Sequence, residues 1–168
     1  RTVHRDADLE RIGRAADDPQ DFLRLALPEN LELFGARRRG VALRTSIALD
    51  LPPVLVDRIQ IQQVLLNLIA NGLDAIAAVA PLDMPPGEPD EVIVEAMRRD
   101  DRRIEVRVHD TGIGLANTDA EKMFEPFFST KTDGLGMGLA ISRTIVEAHG
   151  GELSVVGGDG RGATFSFT

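Results

Sequence analysis

The sequence predicts an α+β fold, a two-layer α/β sandwich in which helices cover one face of a mixed sheet. Segments whose apolar residues recur at helical spacing are mixed along the chain with short segments of strand character. The last two strand segments, 153–156 and 163–167, flank a glycine-rich turn and therefore predict an antiparallel hairpin. Helices combined with antiparallel strands favour a sheet whose helices are segregated to one face.

Composition limits the classes of function. The chain has 168 residues, of which 43% are hydrophobic and 27% charged, as is typical of one globular domain. A net charge of −8 argues against a nucleic-acid-binding surface, and the lack of cysteine excludes disulfides and thiolate metal sites. No apolar run reaches the roughly 18 residues of a membrane span. Because the chain begins at Arg1 rather than Met, we expect it to be a fragment. We expect this fragment to be cytoplasmic, whether or not its parent is membrane-anchored.

The first half of the chain is expected to contain one strand between two helices. Residues 1–18 are polar and are expected to be a leader or the end of a preceding helix. Near-helical spacing of apolar residues predicts a helix over 19–39, and 41–49 has the composition of a strand. Asp57 is a suitable N-cap for a further helix over 58–79.

The second half is expected to supply most of the sheet. The sequence PLDMPPGEPD carries four prolines and predicts an irregular surface connection. Residues 92–97 predict a strand, and strict alternation of apolar and polar residues over 104–109 is typical of a half-buried strand. A helix is predicted over 139–149, and the glycine pair that follows would end it.

Three polar residues lie on one face of the helix predicted over 58–79. Asn67, Asn71 and Asp74 are spaced at i, i+4 and i+7, so they form a stripe on a helix that is otherwise mostly apolar. A neutral amide offers its carbonyl oxygen to a hard cation such as Mg²⁺ without adding charge. The stripe therefore indicates either a magnesium site beside phosphates or structural amides that cap a neighbouring loop.

The sequence DTGIG, residues 110–114, directly follows the alternating strand. Asp110 lies where the strand ends, and Gly112 and Gly114 allow the backbone to approach a flat ligand. A carboxylate accepts a hydrogen bond from an exocyclic amine such as that of adenine, and it would repel the carbonyl oxygen that guanine has there. The alternative is a tight turn in which Asp110 caps the backbone.

The sequence GLGMGL, residues 134–139, is the most informative single segment. Its glycines leave backbone N–H groups accessible at the start of a predicted helix, where the helix dipole favours an anion. The spacing differs from the G-x-G-x-x-G of dinucleotide folds, and the Lys-Ser or Lys-Thr of a P-loop does not follow. A phosphate site is one interpretation, and a helix start without a ligand is the other.

The sequence FEPFFSTK, residues 124–131, precedes the glycines. Phe124, Phe127 and Phe128 are expected to anchor the base of a mobile lid. Lys131 is the cation near the glycine segment and is placed to meet a terminal phosphate. The alternative is an aromatic core cluster followed by a solvated lysine.

Taken together and in this order, these segments resemble the catalytic ATP-binding domain of two-component sensor histidine kinases. NLIANGLDA resembles the N box, DTGIG the G1 box, FEPFF the F box, GLGMGL the G2 box and GRGATF the last glycine motif. The run from Ser129 to Gly151 is most similar to PAS-linked kinases of the FixL kind. The resemblance implies a Bergerat-type ATP-binding domain over 19–168, with 1–18 as a leader or the end of a preceding dimerisation helix.

The resemblance also implies the cofactors ATP and Mg²⁺ and a role for individual residues. Asn71 would coordinate Mg²⁺ with Asn67 assisting, and Lys131 would complete the catalytic set. Asp110 would bind the adenine amine, and Thr164 would lie near the adenine. The remaining nucleotide-binding residues that the resemblance implies are Gly112, Gly114, Leu115, which would pack on the base, Thr130, Gly134, Leu135, Gly136, Met137, Gly138 and Leu139.

Kinases of this family phosphorylate a histidine on a separate dimerisation domain. His4 lacks the proline context of the family's H box, His109 alternates with core residues on a strand, and His149 ends a helix, where a cation suits the dipole. The phosphoacceptor is therefore expected outside this chain, on the parent's own dimerisation domain, with a response-regulator receiver domain downstream. The fragment is expected to be monomeric and the parent a homodimer.

Two positions of the N box depart from the family pattern. Gly72 stands where alanine is common, at a cost of about 1 kcal/mol in helix stability. Asp74 stands where many members carry Lys or Arg. An acid at this position is not expected to contact phosphate, so Asp74 is assigned no role.

Other proteins with this ATP-binding fold, such as gyrase, Hsp90 and MutL, hydrolyse ATP. They place a glutamate that activates water four residues before the metal-binding asparagine, whereas this chain has Asn67 there, which cannot take a proton. The sequence therefore favours phosphoryl transfer to a protein over hydrolysis. It is also compatible with a nucleotide-sensing module without transfer activity, and less so with a serine-directed kinase of the anti-sigma type.

Overall fold

The computed structural model describes residues 15–17, 40–79, 89–115, 120–129, 135–158 and 161–168. The helix predicted over 19–39 lies outside these residues. The described elements are β1 (Ala15–Asp17), β2 (Ala42–Ile47), β3 (Val54–Val56), α1 (Arg58–Ala77), β4 (Glu91–Arg98), β5 (Ile104–Asp110), a 3₁₀ helix (Ala120–Phe124), α2 (Gly138–Ala148), β6 (Leu153–Gly157) and β7 (Ala163–Phe167).

A five-stranded sheet in the order β2-β4-β5-β7-β6 forms one layer of the molecule. β2 pairs with β4 in parallel and all other neighbours pair antiparallel, so the sheet is mixed, as predicted. The predicted closing hairpin is formed by β6 and β7, with Val155 opposite Phe165. Helices α1 and α2 pack against each other and against one face of the sheet. The predicted two-layer α+β fold is therefore confirmed.

The two layers meet in a core of mainly aliphatic side chains. Leu65 and Leu68 of α1 are fully buried, and so are Val92 and Val94 of β4. Along β5 and β7 the buried residues alternate with half-buried ones, because successive side chains of a strand point to opposite faces of the sheet. Every second residue of these strands therefore faces the helices, and this alternation decides which residues can contribute to a site there.

Helix α1 begins directly after its predicted cap. Oδ1 of Asp57 accepts a hydrogen bond from the backbone N–H of Gln60 at 3.1 Å, which satisfies one free donor of the first turn. The helix ends at Ala77, close to the predicted boundary. Among the described helices, none has both the length and the apolar character needed to cross a membrane.

A two-stranded ribbon lies outside the main sheet. β1 pairs antiparallel with β3, so that Ala16 lies opposite Leu55. β1 lies within residues 1–18, which were expected to be a leader or a helix end, and neither β1 nor β3 was predicted as a strand. Strands of three residues are too short to show period-two alternation in a sequence, and their partners lie far apart along the chain.

Helix α2 ends at a histidine that joins the two helices. Nδ1 of His149 lies 2.7 Å from the backbone oxygen of Ile145, and Nε2 accepts a hydrogen bond from the backbone N–H of Asp57 at 2.9 Å. Because Nε2 accepts from Asp57, Nδ1 is the ring nitrogen placed to donate to the Ile145 oxygen. The expected structural role is confirmed, because His149 connects the C-terminus of α2 to the N-terminus of α1.

Candidate functional site

The predicted site residues that the structure describes lie at one end of the sandwich, around the end of β5. Asp110, the last residue of β5, is 2% exposed, and its Oδ1 accepts a hydrogen bond from the backbone N–H of Gly112 at 2.9 Å. Burial raises the pKa of the Asp110 carboxyl, against smaller opposing effects of the Gly112 N–H, His109 and the Ala163 N–H. Asp110 thus caps its turn, as one interpretation predicted, and keeps acceptor capacity for a ligand.

Gly72 makes room for Asp110. A Cβ on Gly72 would lie 3.0 Å from Cβ of Asp110 and 3.4 Å from Cγ2 of Val92, closer than side chains normally pack. The glycine that weakens helix α1 therefore lets the end of β5 approach this helix closely. As a result, the carboxylate of Asp110 lies against the same helix that carries the polar stripe.

The DTGIG loop is held between helix α1 and the turn that joins β6 to β7. A Cβ on Gly112 would lie 2.5 Å from the backbone carbon of Ala75, and the N–H of Ile113 donates to the Ala75 oxygen at 3.2 Å. On its other side, the N–H of Gly162 donates to the oxygen of Gly112 at 2.8 Å. Gly114 has a φ of 73°, which favours glycine. The loop is therefore fixed from both sides.

Leu115 lies at the same level of the sheet as Asp110. The register places Asp110 opposite Ala163, and Ala163 opposite Gly157 of β6. Cβ of Leu115 lies 3.6 Å from the position that a Cβ on Gly157 would take, and its side chain packs on the edge of the core. Leu115 thus provides an aliphatic wall at this end of the sheet.

Thr164 lies on the other face of the sheet from Asp110. Its Oγ1 is 3.0 Å from Nδ1 of His109, and His109 is its partner in the β5–β7 register. The structure therefore contradicts the prediction that Thr164 lies with Asp110 near an adenine. The residue that flanks Asp110 is Ala163, which is 4% exposed. The alternation of Ala163 and Phe165 in the sequence was a signal that could have identified this face.

Asn67 connects helix α1 to the start of helix α2. Its Nδ2 donates to Oγ of Ser142 at 2.9 Å, and a Cβ on Gly138 would lie 2.5 Å from its Oδ1. Asn71 is half-buried one turn further along the helix, whereas Asp74 is exposed. Asn67 is thus the residue of the polar stripe that lies next to the glycine segment, at Gly138. Its hydrogen-bond partner Ser142 was not predicted from the sequence.

Only part of the glycine segment belongs to the described residues. Thr130, Lys131 and Gly134 lie outside them. Helix α2 begins at Gly138, close to the predicted start, and its N-cap residue Met137 makes no side-chain cap bond. The N–H groups of the first turn are therefore available to other acceptors. Leu139 is half-buried against the core, and Leu135 is exposed.

The three phenylalanines of the F box differ in their surroundings. Phe124 is buried in the core, and the guanidinium of Arg143 lies 5.4 Å from its ring centre. Phe127 is 77% exposed, so the prediction that its side chain is an anchor is wrong. Its backbone N–H instead donates to the oxygen of Gly136 at 2.9 Å. Phe128 is half-buried. The buried ring of Phe124 and the backbone contact between Phe127 and Gly136 thus help to hold the segment.

A separate apolar cavity of about 490 Å³ lies at the other end of the sandwich. Its walls include Ile61, Val106, Val146 and Phe167, together with strand β3. None of the described site residues lines it. The polar groups that converge around Asp110, rather than this cavity, define the candidate site.

Comparison with known proteins gives the family. A profile of the family described as histidine kinase-, DNA gyrase B-, and HSP90-like ATPase matches residues 56–168. The sensor protein FixL of Bradyrhizobium diazoefficiens is 44% identical over 138 residues, which are 82% of this chain and 26% of FixL. The chain thus spans about a quarter of the length of this curated relative.

Solved structures agree with this assignment. Full-length ShkA in complex with AMPPNP has a TM-score of 0.73 at 31% identity, over 92% of this chain and 30% of ShkA. The catalytic domain of the histidine kinase ThkA has a TM-score of 0.72 at 27% identity, over 92% of this chain and 93% of that domain. The chain therefore belongs to the histidine kinase-, DNA gyrase B- and HSP90-like ATPase family, as an ATP-binding domain of the sensor histidine kinase branch.

Proposed function

We propose that this domain binds Mg-ATP and donates the γ-phosphoryl group to a histidine on a separate dimerisation domain, in two-component signal transduction. The observation that carries the proposal is the buried carboxylate of Asp110, which lies against Gly72 of helix α1. The same helix presents Asn67 and Asn71 on the adjoining face. Asp110, at the end of β5, lies against this helix and suits the base of a nucleotide. The amide oxygens of Asn67 and Asn71 lie on the helix itself and suit the phosphate end.

The base proposed for this site is adenine. The carboxylate of Asp110 accepts hydrogen bonds only, and the exocyclic amine of adenine donates one, whereas guanine would present an oxygen there. Leu115 offers an apolar surface at the same level of the sheet. Because Asp110 is buried, an unmatched base would leave the remaining acceptor capacity of its carboxylate desolvated and unused, which gives the site its discrimination.

The amides of Asn67 and Asn71 fit a Mg²⁺ ion that is held mainly by phosphates. Since Nδ2 of Asn67 donates to Ser142, its Oδ1 is turned toward Gly138 of the glycine segment, and a carbonyl oxygen is a ligand that Mg²⁺ accepts. The described part of the chain holds no group of three His, Cys, Asp or Glu that could bind a metal. Bound with the nucleotide, the ion would offset phosphate charge.

Transfer to a protein is favoured over hydrolysis by the chemistry of Asn67. This residue stands at the position where the hydrolases of the fold have a general base, and an amide cannot take a proton from water. Its NH₂ group donates to Ser142, so it is also held in place. A water molecule would therefore lack a base at this position.

An exposed apolar patch beside the glycine segment suits a protein partner. It consists of Phe127, Leu135, Met137 and Ile141, all exposed. Backbone hydrogen bonds from Phe127 to Gly136 and from Ile141 to Met137 keep these residues together. Contiguous exposed apolar residues mark interaction surfaces. We assign this patch to the parent's dimerisation domain, whose histidine must approach the γ-phosphate and would then pass the phosphoryl group to a response-regulator receiver domain.

Transfer is tested by mixing the chain with the separately prepared dimerisation domain and radiolabelled ATP. We expect label on the acceptor histidine, no label when that histidine is replaced by glutamine, and strongly reduced label with Asn71→Ala. Release of phosphate without labelled acceptor would favour the hydrolase alternative. Nucleotide binding without either product would favour a sensing module.

A further inference from the structure

Helix α2 carries a serine at a position where its packing would suit an aliphatic residue. Ser142 is 2% exposed, and it and Asp110 are the two buried polar side chains of the described chain. Val146, one turn further along, is 1% exposed and lies in the core. A hydroxyl buried in this way lowers stability unless it is hydrogen-bonded. Its partner is Asn67, on the neighbouring helix.

The hydrogen bond to Ser142 and the close approach of Gly138 together set the orientation of the Asn67 amide. The NH₂ group donates to Oγ of Ser142 at 2.9 Å, so the carbonyl oxygen takes the other side, next to Gly138. A Cβ on Gly138 would lie 2.5 Å from this oxygen, so a Cα hydrogen of the glycine points at it. Half a rotation of the amide would set its NH₂ group against that C–H and remove the acceptor.

The hydrogen bond between Asn67 and Ser142 also joins helix α1 to helix α2. Asn67 belongs to helix α1, while Gly138 and Ser142 are the first and fifth residues of helix α2. The amide is thus held at both ends by α2, through the hydroxyl at one end and the glycine at the other. Neither contact involves a group that titrates near neutral pH.

We propose that Ser142 is a positioning residue for Asn67, which holds the carbonyl oxygen of that amide toward the start of helix α2. The inference rests on the proposed function, since it assigns this oxygen to the Mg²⁺ and phosphate end of the nucleotide. Without the hydroxyl, the amide rotates and its oxygen faces the site for only part of the time. The affinity for the metal-nucleotide complex then falls, whereas recognition of the base does not.

The test compares Ser142→Ala with Thr144→Ala, a matched control on the same helix. The Thr144 hydroxyl is exposed and donates to the backbone oxygen of Ala140, away from Asn67. Calorimetry with a non-hydrolysable ATP analogue is expected to show affinity in Mg²⁺ falling about threefold to tenfold for Ser142→Ala, the loss of one hydrogen bond. Binding of ADP without Mg²⁺ is expected to stay unchanged, and Thr144→Ala is expected to match the unmodified chain under both conditions.

A double-mutant cycle with Asn67→Ala tests whether Ser142 affects nucleotide affinity through Asn67. If Ser142 acts through Asn67, Ser142→Ala causes no further loss in the Asn67→Ala background. Ser142→Cys, which keeps a weak acceptor, is expected to give an intermediate loss. A loss that is equal with and without Mg²⁺, or that persists in the Asn67→Ala background, would overturn the positioning role.

A readout without nucleotide separates this inference from the proposed function. In the ligand-free chain, the side-chain amide resonances of Asn67 are expected to shift in Ser142→Ala and not in Thr144→Ala. Unchanged resonances would overturn the inference alone, because nucleotide binding does not enter that measurement. If the unmodified chain bound ATP with no dependence on Mg²⁺, the proposed function and the inference would both fail, even with shifted resonances.

Discussion

The carboxylate of Asp110 is buried where the end of β5 lies against helix α1. At this position the carboxylate has two roles. It must accept the N–H of Gly112 to form the turn, and it must leave acceptor capacity for a base. Burial raises the carboxyl pKa, which means that the charged form is less favourable here than it would be in water. Such residues are typical of sites rather than of cores.

Removing this carboxylate is expected to weaken nucleotide binding selectively. Asp110→Ala is expected to lose about 1–3 kcal/mol of ATP affinity, the cost of leaving a buried amine unpaired, and to reduce the preference for ATP over GTP. Calorimetry with both nucleotides measures the change. Thr164→Ala is the matched control, since its side chain lies on the other face of the sheet. Equal losses in the two variants would contradict the assignment of faces.

The raised pKa of Asp110 also predicts how stability depends on pH. Because burial raises the carboxyl pKa above its ordinary value of 3.8, the folded chain binds this proton more tightly than the unfolded chain. This contribution to the free energy of unfolding is complete below the unfolded pKa and is lost as pH rises through the folded pKa. Asp110→Asn, which does not titrate, is therefore expected to gain stability relative to the unmodified chain over that window. Urea unfolding at a series of pH values that starts below 3.8 and rises to neutrality tests this, and a difference independent of pH would contradict it.

Gly72 is expected to lower the stability of helix α1 while leaving the space that Asp110 needs to reach the base. Gly72→Ala would add about 1 kcal/mol of helix propensity, but its Cβ would lie 3.0 Å from Cβ of Asp110 and displace the carboxylate. We expect weaker ATP binding without loss of fold, measured by calorimetry and urea unfolding side by side. Ala77→Gly, at an exposed position of the same helix, controls for a change in helix propensity. Undiminished ATP affinity in Gly72→Ala would show that Asp110 does not need this space.

At the scale of elements, the two helices are joined by polar contacts at two places. His149 accepts the N–H of Asp57 at the start of α1, and Asn67 donates to Ser142 near the middle of that helix. The first contact lies far from the DTGIG loop, and the second lies beside the glycine segment. Stability and ligand binding are therefore expected to respond differently to changes at the two places.

Loss of the His149 contact is expected to affect stability and to spare the site. His149→Ala would leave the N–H of Asp57 without its partner and remove the side-chain contact with the Ile145 oxygen, at a cost of about 1–3 kcal/mol in the free energy of unfolding. Urea unfolding measures this loss, and calorimetry with ATP is expected to show unchanged affinity. Thr144→Ala, which changes an exposed residue of the same helix, serves as the control. An unchanged midpoint for His149→Ala would mean that this contact is dispensable.

Elements with a long periodic pattern could be predicted, and contacts between distant residues could not. The alternation over 104–109 and the cap at Asp57 identified β5 and α1 almost to their ends. The ribbon of β1 and β3 could not be found in this way, because each strand has too few residues to show a period. The bond between His149 and Asp57 joins residues 92 positions apart, and nothing in either local sequence encodes it.

At the scale of the whole molecule, only part of the candidate site could be predicted from the sequence. The motifs predicted Asp110, Asn67 and the glycine segment as site residues, because their chemistry is local to each segment. The face occupied by Thr164 was assigned incorrectly, since motif matching ignored the alternation of the strand. Ser142 was overlooked, because a lone serine in a helix shows its importance only when its partner on another helix is known.

The whole domain is expected to bind ATP and turn it over very slowly by itself. With an amide at the place of the general base, steady-state phosphate release by the isolated chain should stay well below about 1 per second, a rate typical of dedicated enzymes. A coupled phosphate assay with excess Mg-ATP measures it. Faster turnover that Asp110→Ala abolishes would contradict the kinase assignment and favour a hydrolase.

The parallel pairing of β2 with β4 has a consequence for how the chain reaches this fold. β5, β6 and β7 are joined by antiparallel pairing within residues 104–168, whereas β2 must pair across the whole of α1 and the proline-rich connection. Closing that long loop loses more chain entropy, and non-local contacts slow folding. We therefore expect the C-terminal half to assemble first as a folding nucleus, and the edge formed by β2 to be added last and to open first.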